Sequence, residues 1–373
     1  MKQLFTCAVV VVFGLLSSHC NKTTATTAIR TFYMGTTPWP ADFTQQEVNN
    51  AYDFINQHCD MVSHHFDEGI PYEEAYQNAN WPAALQQGIN TRKTKTGAGK
   101  KILLSSSALA LNRISKAPYS SFSTAINNNI KQQWQALPIN DDKVITAYIN
   151  YLLYLVAQLN PSYINYAVES NHHEWDSAAF AQYKFFLEKV YVKLKAAYPT
   201  IPIMLSWMVS EQPAALDNAR QLLPYTDYTA LSAYPYVAVS SAAAGNTNPA
   251  LFPADIFTRF IKLDAGKPLC VTETGYIAQP LQVPAYELNR QGTAQWQDAY
   301  LQMVCQLLQQ QHGKFLIWFC HKDYDAGNRR LETLGIYQPL FAFWQDTGLL
   351  DEEGKQRPAW QTWQSWLAKT LKP

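Results

Sequence analysis

The chain has 373 residues, no formal net charge at pH 7 and a charged fraction of 16%, without a sustained basic run. A nucleic-acid partner is therefore not expected, because proteins that bind nucleic acids carry a basic surface. The aromatic fraction of 13% includes 11 Trp and 22 Tyr, but aromatic side chains are ordinary core material as well as ligand platforms. Composition alone thus indicates a globular chain long enough for one large α/β domain.

The first residues have the composition of an export signal. Lys2 supplies the positive start, and residues 4–16 form an apolar run that is too short for a membrane span. Residues 16–20 (LSSHC) resemble a bacterial lipoprotein processing site, with Cys20 as the lipidated residue. His19 stands where such sites usually have a small residue, so secretion without a lipid is the alternative.

These features predict three segments: a signal over residues 1–20, a polar tether over 21–30 and one folded domain over 31–373. We expect export to the periplasm or cell envelope, for instance as an outer-membrane lipoprotein, or release into the medium. Contact with a membrane is expected only through a lipid on Cys20. The protein is expected to be a monomer.

From Thr31 onward, strand-like and helix-like segments alternate, a pattern that predicts a parallel sheet. Strands are predicted over residues 31–36, 60–65, 101–105, 163–168, 201–208, 228–233, 268–272 and 314–320. The first helix is predicted to begin at a capping box from Thr44 to Glu47. Further helices are predicted over residues 144–159, 176–198, 213–223, 255–263, 293–310 and 358–371. No glycine-rich phosphate loop follows the first strand. We therefore predict the α/β class, with a single (β/α)8 TIM barrel rather than an open, doubly wound sheet.

Two glutamates stand at the ends of predicted strands. Glu169 follows the fourth strand, and Glu273 ends the seventh. Because the carboxyl ends of barrel strands meet at one mouth, the two carboxylates are expected to face each other across a cleft. Paired carboxylates of this kind cleave glycosidic bonds. Glu174, further along the loop after Glu169, is a rival for the role of the acid.

In these residues the chain resembles the clan of retaining glycoside hydrolases built on (β/α)8 barrels, with motifs most similar to endo-β-1,4-galactanase-like families. Glu169 and Glu273 occupy the places of that clan's acid/base and nucleophile. Residues 231–236 (LSAYPY) resemble the strand-six motif, and Trp318 stands where the clan has a tryptophan at the end of strand eight. Residues 348–359 resemble the clan's closing segment in two stretches.

The resemblance implies hydrolysis of a β-linked polysaccharide or oligosaccharide by double displacement. Glu273 is then the nucleophile, and Glu169 is first the acid and afterwards the base. Tyr234 would hydrogen-bond Glu273 and hold its orientation, and Trp318 would form the floor of the sugar subsite. Further candidates for contact with the sugar are Asn171, Trp39, Trp207, Asp67 and Asp323. The alternatives are a packing role for the two tryptophans and a place as solvated loop charges for the two aspartates.

Two positions depart from the clan's pattern. Val168 stands immediately before the acid/base, where the clan usually has an asparagine that binds the sugar 2-hydroxyl. Residues 63–65 (SHH), on strand two, contain no arginine near the nucleophile. These departures motivate a second interpretation, in which the chain is a non-catalytic carbohydrate-binding TIM-barrel lipoprotein.

No cofactor and no metal are expected. Adjacent histidines on an extended chain point in opposite directions, so neither His64 with His65 nor His172 with His173 is expected to chelate one ion. The six cysteines include no CxxC pair, so their spacing does not indicate a metal site. A hydrolase of another class is a more distant interpretation, because the chain has neither a GxSxG elbow nor an HExxH helix.

Overall fold

The structure is a computed structural model that describes residues 28–243 and 245–373. At its centre lies a closed barrel of eight parallel strands. In chain order, β1 to β8 are Tyr33–Thr36, Met61–Phe66, Lys101–Ser106, Tyr163–Ala167, Ile203–Met208, Thr229–Ala233, Leu269–Thr274 and Phe315–Trp318. Strand β8 pairs with β1 as well as with β7, which closes the barrel. The predicted (β/α)8 barrel is therefore confirmed.

Helices surround the barrel, and two of them begin at predicted caps. In chain order, α1 to α13 are Gln45–His58, Tyr72–Gln77, Ala83–Lys95, Asn128–Ala136, Asp142–Leu159, Ser177–Ala197, Pro213–Leu222, Pro235–Ala238, Ser240–Ala243, Thr258–Ile261, Ala294–Gln310, Asp325–Thr333 and Pro358–Leu367. Short 3₁₀ helices lie at Leu223–Tyr225, Pro249–Leu251, Pro284–Tyr286 and Pro339–Trp344. The Thr44 hydroxyl accepts a hydrogen bond from the Glu47 N–H at the start of α1. The Asp176 carboxylate caps α6 in the same way.

Six of the helices in the described residues, α2, α3, α4, α8, α9 and α12, were not predicted from the sequence. Helix α3 shows the reason, since only Leu85 and Ile89 among its residues are buried. A helix with so little buried surface lacks the apolar stripe by which an amphipathic helix is recognised. These helices lengthen the connections that follow β2, β3, β6 and β8, and those connections contribute to the mouth of the barrel.

Side chains of the strands alternate between the barrel interior and the surrounding helices. The interior cluster consists of Met61, Leu103, Met204, Ala230, Cys270, Phe315 and Ile317. Because all eight strands run parallel, their carboxyl ends open on one mouth. Residues that continue the inward-facing series beyond this cluster therefore line a cleft.

The folded domain begins earlier than the predicted boundary at residue 31. Ile29–Arg30 forms a short strand that pairs in parallel with Thr370–Leu371. Arg30 is buried and forms an ion pair with Asp60 at 2.6 Å. Residues 29 and 30 therefore belong to the barrel domain rather than to a tether. The predicted signal, the lipid site and most of the tether lie outside the described residues.

After β7 the chain makes an antiparallel hairpin from Leu281–Val283 and Leu288–Arg290. The cysteines at positions 59, 270, 305 and 320 are free and buried. Among the described residues, no helix combines the length and the apolar character that crossing a bilayer requires.

Candidate active site

The two predicted glutamates are held by Ser232 on strand β6 and by Tyr234, the residue that follows this strand. The Ser232 hydroxyl donates a hydrogen bond to Glu169 Oε1 at 2.8 Å. Two residues further along the chain, the Tyr234 hydroxyl donates to Glu273 Oε1 at 2.7 Å. Alternate residues of a strand face the same side and lie roughly 6.6 Å apart. The structure therefore brings both carboxylates to one short stretch of the barrel mouth.

A bulge in β7 turns Glu273 toward the mouth. Cys270 points into the barrel, so strict alternation would point Thr272 inward and Glu273 outward. The pairing with β6 shifts at this point: Leu231 pairs with Val271, but Ser232 pairs with Glu273. The extra residue reverses the alternation, which is how a bulge re-aims a side chain beside a functional site.

Glu169 reaches the mouth through an unusual backbone conformation. Its φ angle is 52°, in the left-handed region that non-glycine residues rarely adopt. The Ser206 hydroxyl accepts a hydrogen bond from the Glu169 N–H at 3.0 Å and stabilises this turn. Such outliers persist where the surroundings hold them, and they cluster at functional sites.

Arg113, on the loop after β3, binds Glu169 directly. Its Nε donates to Glu169 Oε2 at 2.9 Å, and its own φ angle of 58° is also left-handed. Strand β2 itself has no arginine near the nucleophile. The structure supplies one from a different connection, and the charge of Arg113 also acts on Glu273.

His65, at the end of β2, is the second cation beside the carboxylates. Its Nδ1 lies 3.4 Å from Glu273 Oε2, and its Nε2 lies 3.8 Å from Asp67 Oδ2. Burial alone would lower the pKa of His65, but the charges of Asp67 and Glu273 outweigh it and raise that pKa to about 9. His65 is therefore a cation at neutral pH.

The surroundings of Glu273 favour its ionised form. Burial would raise the pKa of this carboxyl, but the hydrogen bond and charge of His65, the Tyr234 hydroxyl and the charge of Arg113 together lower it. Burial and the charge of Glu273 in turn raise the pKa of Tyr234 well above its ordinary value. Tyr234 thus stays protonated and remains a donor. An ionised, oriented carboxylate can act as a nucleophile.

Neither cation was predicted as a site residue. His65 could have been found, because it continues the inward series Met61 and Ser63 on β2. Arg113 gave no signal, since a loop position carries no periodicity that would show where its side chain points. Ser206 and Ser232 were not predicted either, because serine is common in strands that contribute to no functional site.

Half-buried aromatic rings line one side of the mouth. The ring of Trp39 lies 5.7 Å from that of Phe319, which lies 6.2 Å from that of Trp344. Trp344 lies 5.9 Å from Tyr234, and Tyr234 binds Glu273. Trp39 thus lies in a row of aromatic rings that leads to Tyr234. Apolar ring faces next to carboxylates suit a ligand that has both apolar faces and hydroxyl groups.

Two tryptophans predicted to contact a sugar do not face the mouth. On β8, Phe315 and Ile317 point inward, so Trp318 points outward, is 0% exposed and donates to the Thr347 carbonyl. Trp207 on β5 is also fully buried and packs against Phe260 outside the barrel. Both predictions were wrong because they ignored the strand's alternation.

Asn171 and Asp323 are also committed to internal contacts. The Asn171 amide donates to the Met208 and Ala215 carbonyls and accepts from the Met208 N–H. Asp323 accepts from Arg357 Nη1 at 2.7 Å and is buried. Neither side chain is available to a sugar, so these two predictions were also wrong. Asp67, in contrast, is about one-third exposed at the mouth beside His65.

One cluster of carboxylates has the spacing of a metal site. Oxygens of Asp323, Asp325 and Asp346, beyond β8, lie within 4.8 Å of one another. Asp323 already binds Arg357, so a cation of the protein itself occupies part of this cluster. We therefore assign no metal to this cluster.

His64 and His65 point to opposite sides of β2, since His64 contacts Thr96 outside the barrel.

Comparison with known proteins supports the fold. No protein-family model and no curated protein sequence matches the chain. GH5_18 from Streptomyces cattleya, solved in complex with GlcNAc, is similar with a TM-score of 0.62 and 15% identity, over 92% of this chain and 83% of that chain. The GH53 catalytic domain of Ignisphaera aggregans gives a TM-score of 0.55 and 14% identity, over 89% and 95%. Native xylanase 10B from Thermotoga maritima gives a TM-score of 0.55 and 11% identity, over 90% of this chain and 95% of that chain. The chain therefore has the (β/α)8-barrel fold of these glycoside hydrolases, as the sequence resemblance implied.

Proposed function

We propose that the protein is a retaining glycoside hydrolase that cleaves β-linked glycans. The observation that supports this most directly is the pair of carboxylates over β6, with Glu169 held by Ser232 and Glu273 held by Tyr234. A double displacement requires two carboxyl groups close together at one cleft. The shared fold is compatible with this reaction, although a fold by itself does not assign residues to roles.

In this mechanism Glu273 attacks the anomeric carbon. A covalent bond forms between the carbon and Glu273 while the bond to the leaving oxygen breaks, and protonated Glu169 gives its proton to that oxygen. Glu169, now a base, takes a proton from a water molecule. The resulting hydroxide adds to the anomeric carbon, releases Glu273 and leaves Glu169 protonated again. His65 and Tyr234 keep Glu273 ionised and oriented between cycles.

The aromatic side of the mouth supports a carbohydrate ligand. Trp39, Phe319 and Trp344 offer ring faces beside the carboxylates. Pyranose rings have apolar faces that pack on such rings, while their hydroxyl groups reach polar neighbours. The proposal therefore takes an oligosaccharide or polysaccharide as the substrate.

One observation favours a second candidate, a non-catalytic carbohydrate-binding barrel. The contact between Arg113 and Glu169 is an ion pair, which is made by the charged carboxylate. The first step of the reaction needs the same carboxyl group in its protonated form. Hydrolysis thus requires that Glu169 takes up a proton while Arg113 stays beside it, whereas binding alone does not.

The substitution Glu273→Gln tests the proposal. It is expected to abolish hydrolysis of a para-nitrophenyl β-glycoside while the unfolding midpoint stays near that of the wild type. Glu174→Gln is the matched control, because the Glu174 side chain is 64% exposed, and this variant is expected to keep wild-type turnover. Turnover retained by Glu273→Gln would refute the nucleophile assignment, and turnover lost in Glu174→Gln would favour the rival acid.

A panel of β-linked polysaccharides separates the two candidate functions. Reducing ends released by the wild type, but not by Glu273→Gln, support the hydrolase. Binding to one of these polysaccharides without any release supports the non-catalytic barrel.

We further propose that the protein is exported, with a lipid on Cys20 as its membrane anchor. Lys2, the apolar run over residues 4–16 and the LSSHC sequence support this proposal. Mass spectrometry of the mature N-terminus tests it. A chain that still begins at Met1 would refute export, and an unmodified new N-terminus would indicate plain secretion.

A further inference from the structure

A sugar bound between the carboxylates needs a polar partner next to its anomeric carbon. Hydrogen bonds to the 2-hydroxyl strengthen in the transition state of glycoside cleavage. Val168, beside the acid/base, is buried and apolar, and the Asn171 amide is used by backbone groups. Ser232 and Tyr234 already donate to the two glutamates. None of these four residues therefore has a free donor for the 2-hydroxyl.

Arg113 has a donor to spare. The residue is only 8% exposed, and its Nε binds Glu169 at 2.9 Å. Its Nη1 is buried and has no hydrogen-bond partner among the described residues. A buried charged group with an unmade hydrogen bond is costly. The guanidinium thus has hydrogen-bonding capacity beyond its one contact with Glu169.

We propose that the guanidinium of Arg113 donates a hydrogen bond to the sugar hydroxyl next to the anomeric carbon. The inference rests on the proposed function, in which the anomeric carbon faces Glu273 and the glycosidic oxygen faces Glu169. The guanidinium touches the Glu169 carboxylate and also interacts with Glu273. A group in that position lies beside the first ring carbon. Arg113 is thus a substrate-binding residue that also holds the acid/base.

The test measures how much the 2-hydroxyl contributes to kcat/KM in the wild type, in Arg113→Gln and in Ser232→Ala. The substrates are the para-nitrophenyl β-glycoside that the wild type cleaves fastest and its 2-deoxy counterpart. In Arg113→Gln, the ratio of kcat/KM for these two substrates is expected to fall by about 10- to 150-fold, the effect of losing a hydrogen bond to a charged group. Ser232→Ala is the matched control, because it removes a contact to Glu169 but keeps Arg113. Its ratio is expected to stay near that of the wild type.

Two results overturn the proposal: an unchanged ratio in Arg113→Gln, or an equal fall in Ser232→Ala. Arg113→Lys, which keeps the positive charge, serves as a second variant if Arg113→Gln does not fold. Its ratio is expected to fall less, because one ammonium cannot hold Glu169 and the hydroxyl as two guanidinium nitrogens do.

Calorimetry with uncleaved phenyl thioglycosides gives a readout that does not depend on turnover. The wild type is expected to prefer the thioglycoside that carries the 2-hydroxyl, and Arg113→Gln is expected to lose this preference. If the wild type shows the preference but cleaves nothing, the proposed hydrolase fails and the Arg113 contact stands. If the wild type binds neither thioglycoside, the contact itself is refuted.

Discussion

Replacement of His65 by asparagine should remove a pH-dependent part of the stability. The pKa of His65 is about 9 in the folded protein, against an ordinary value of 6.5. Below pH 6.5 the folded and unfolded chains both bind this proton, so the stabilisation by the charged imidazole is complete. Between pH 6.5 and 9 only the folded chain binds it, and the stabilisation falls as the pH rises. A rise of this size corresponds to about 3 kcal/mol.

Urea denaturation at intervals from pH 6.5 to about 9 measures this effect. The free energy of unfolding of the wild type, minus that of His65→Asn, is expected to decrease across this window by about 3 kcal/mol. His64→Asn is the control on the same strand. Burial lowers the pKa of His64 to about 3, so its titration affects stability only below pH 6.5. A difference between wild type and His65→Asn that stays constant across the window would refute the charge pairing with Asp67 and Glu273.

Two further substitutions test other contacts. Tyr234→Phe removes the hydrogen bond to Glu273, worth about 1.5–3 kcal/mol for a charged acceptor, and should lower kcat/KM on an aryl glycoside by about 10- to 150-fold. Activity within about twofold of the wild type would show that this contact does not orient the nucleophile. Asp323→Ala leaves Arg357 buried without its partner, and should lower the free energy of unfolding by about 3–5 kcal/mol. Replacing Arg357 by leucine in the same chain should recover part of that loss, and an unchanged stability of the single variant would contradict the pairing.

The sequence alone determined the barrel and the two glutamates. Strands and helices are recognised by local periodicity, which can be read directly from the sequence. The eight strands could therefore be predicted with their approximate bounds. The rule that parallel strands end at one mouth then placed Glu169 and Glu273 together. Tyr234 followed from the strand-six motif, and its hydrogen bond to Glu273 is present in the structure.

The tertiary structure decided which side chains face the mouth. Alternation along β8 and β5 turns Trp318 and Trp207 away from it, while a bulge in β7 brings Glu273 into it. A bulge depends on the pairing of two strands and leaves no trace in local composition. Arg113 lies far from Glu169 in the sequence, and only the folded loop after β3 brings their charges together. The sequence was therefore enough to predict the two carboxylates, whereas the fold determined that Arg113 and His65 contact them.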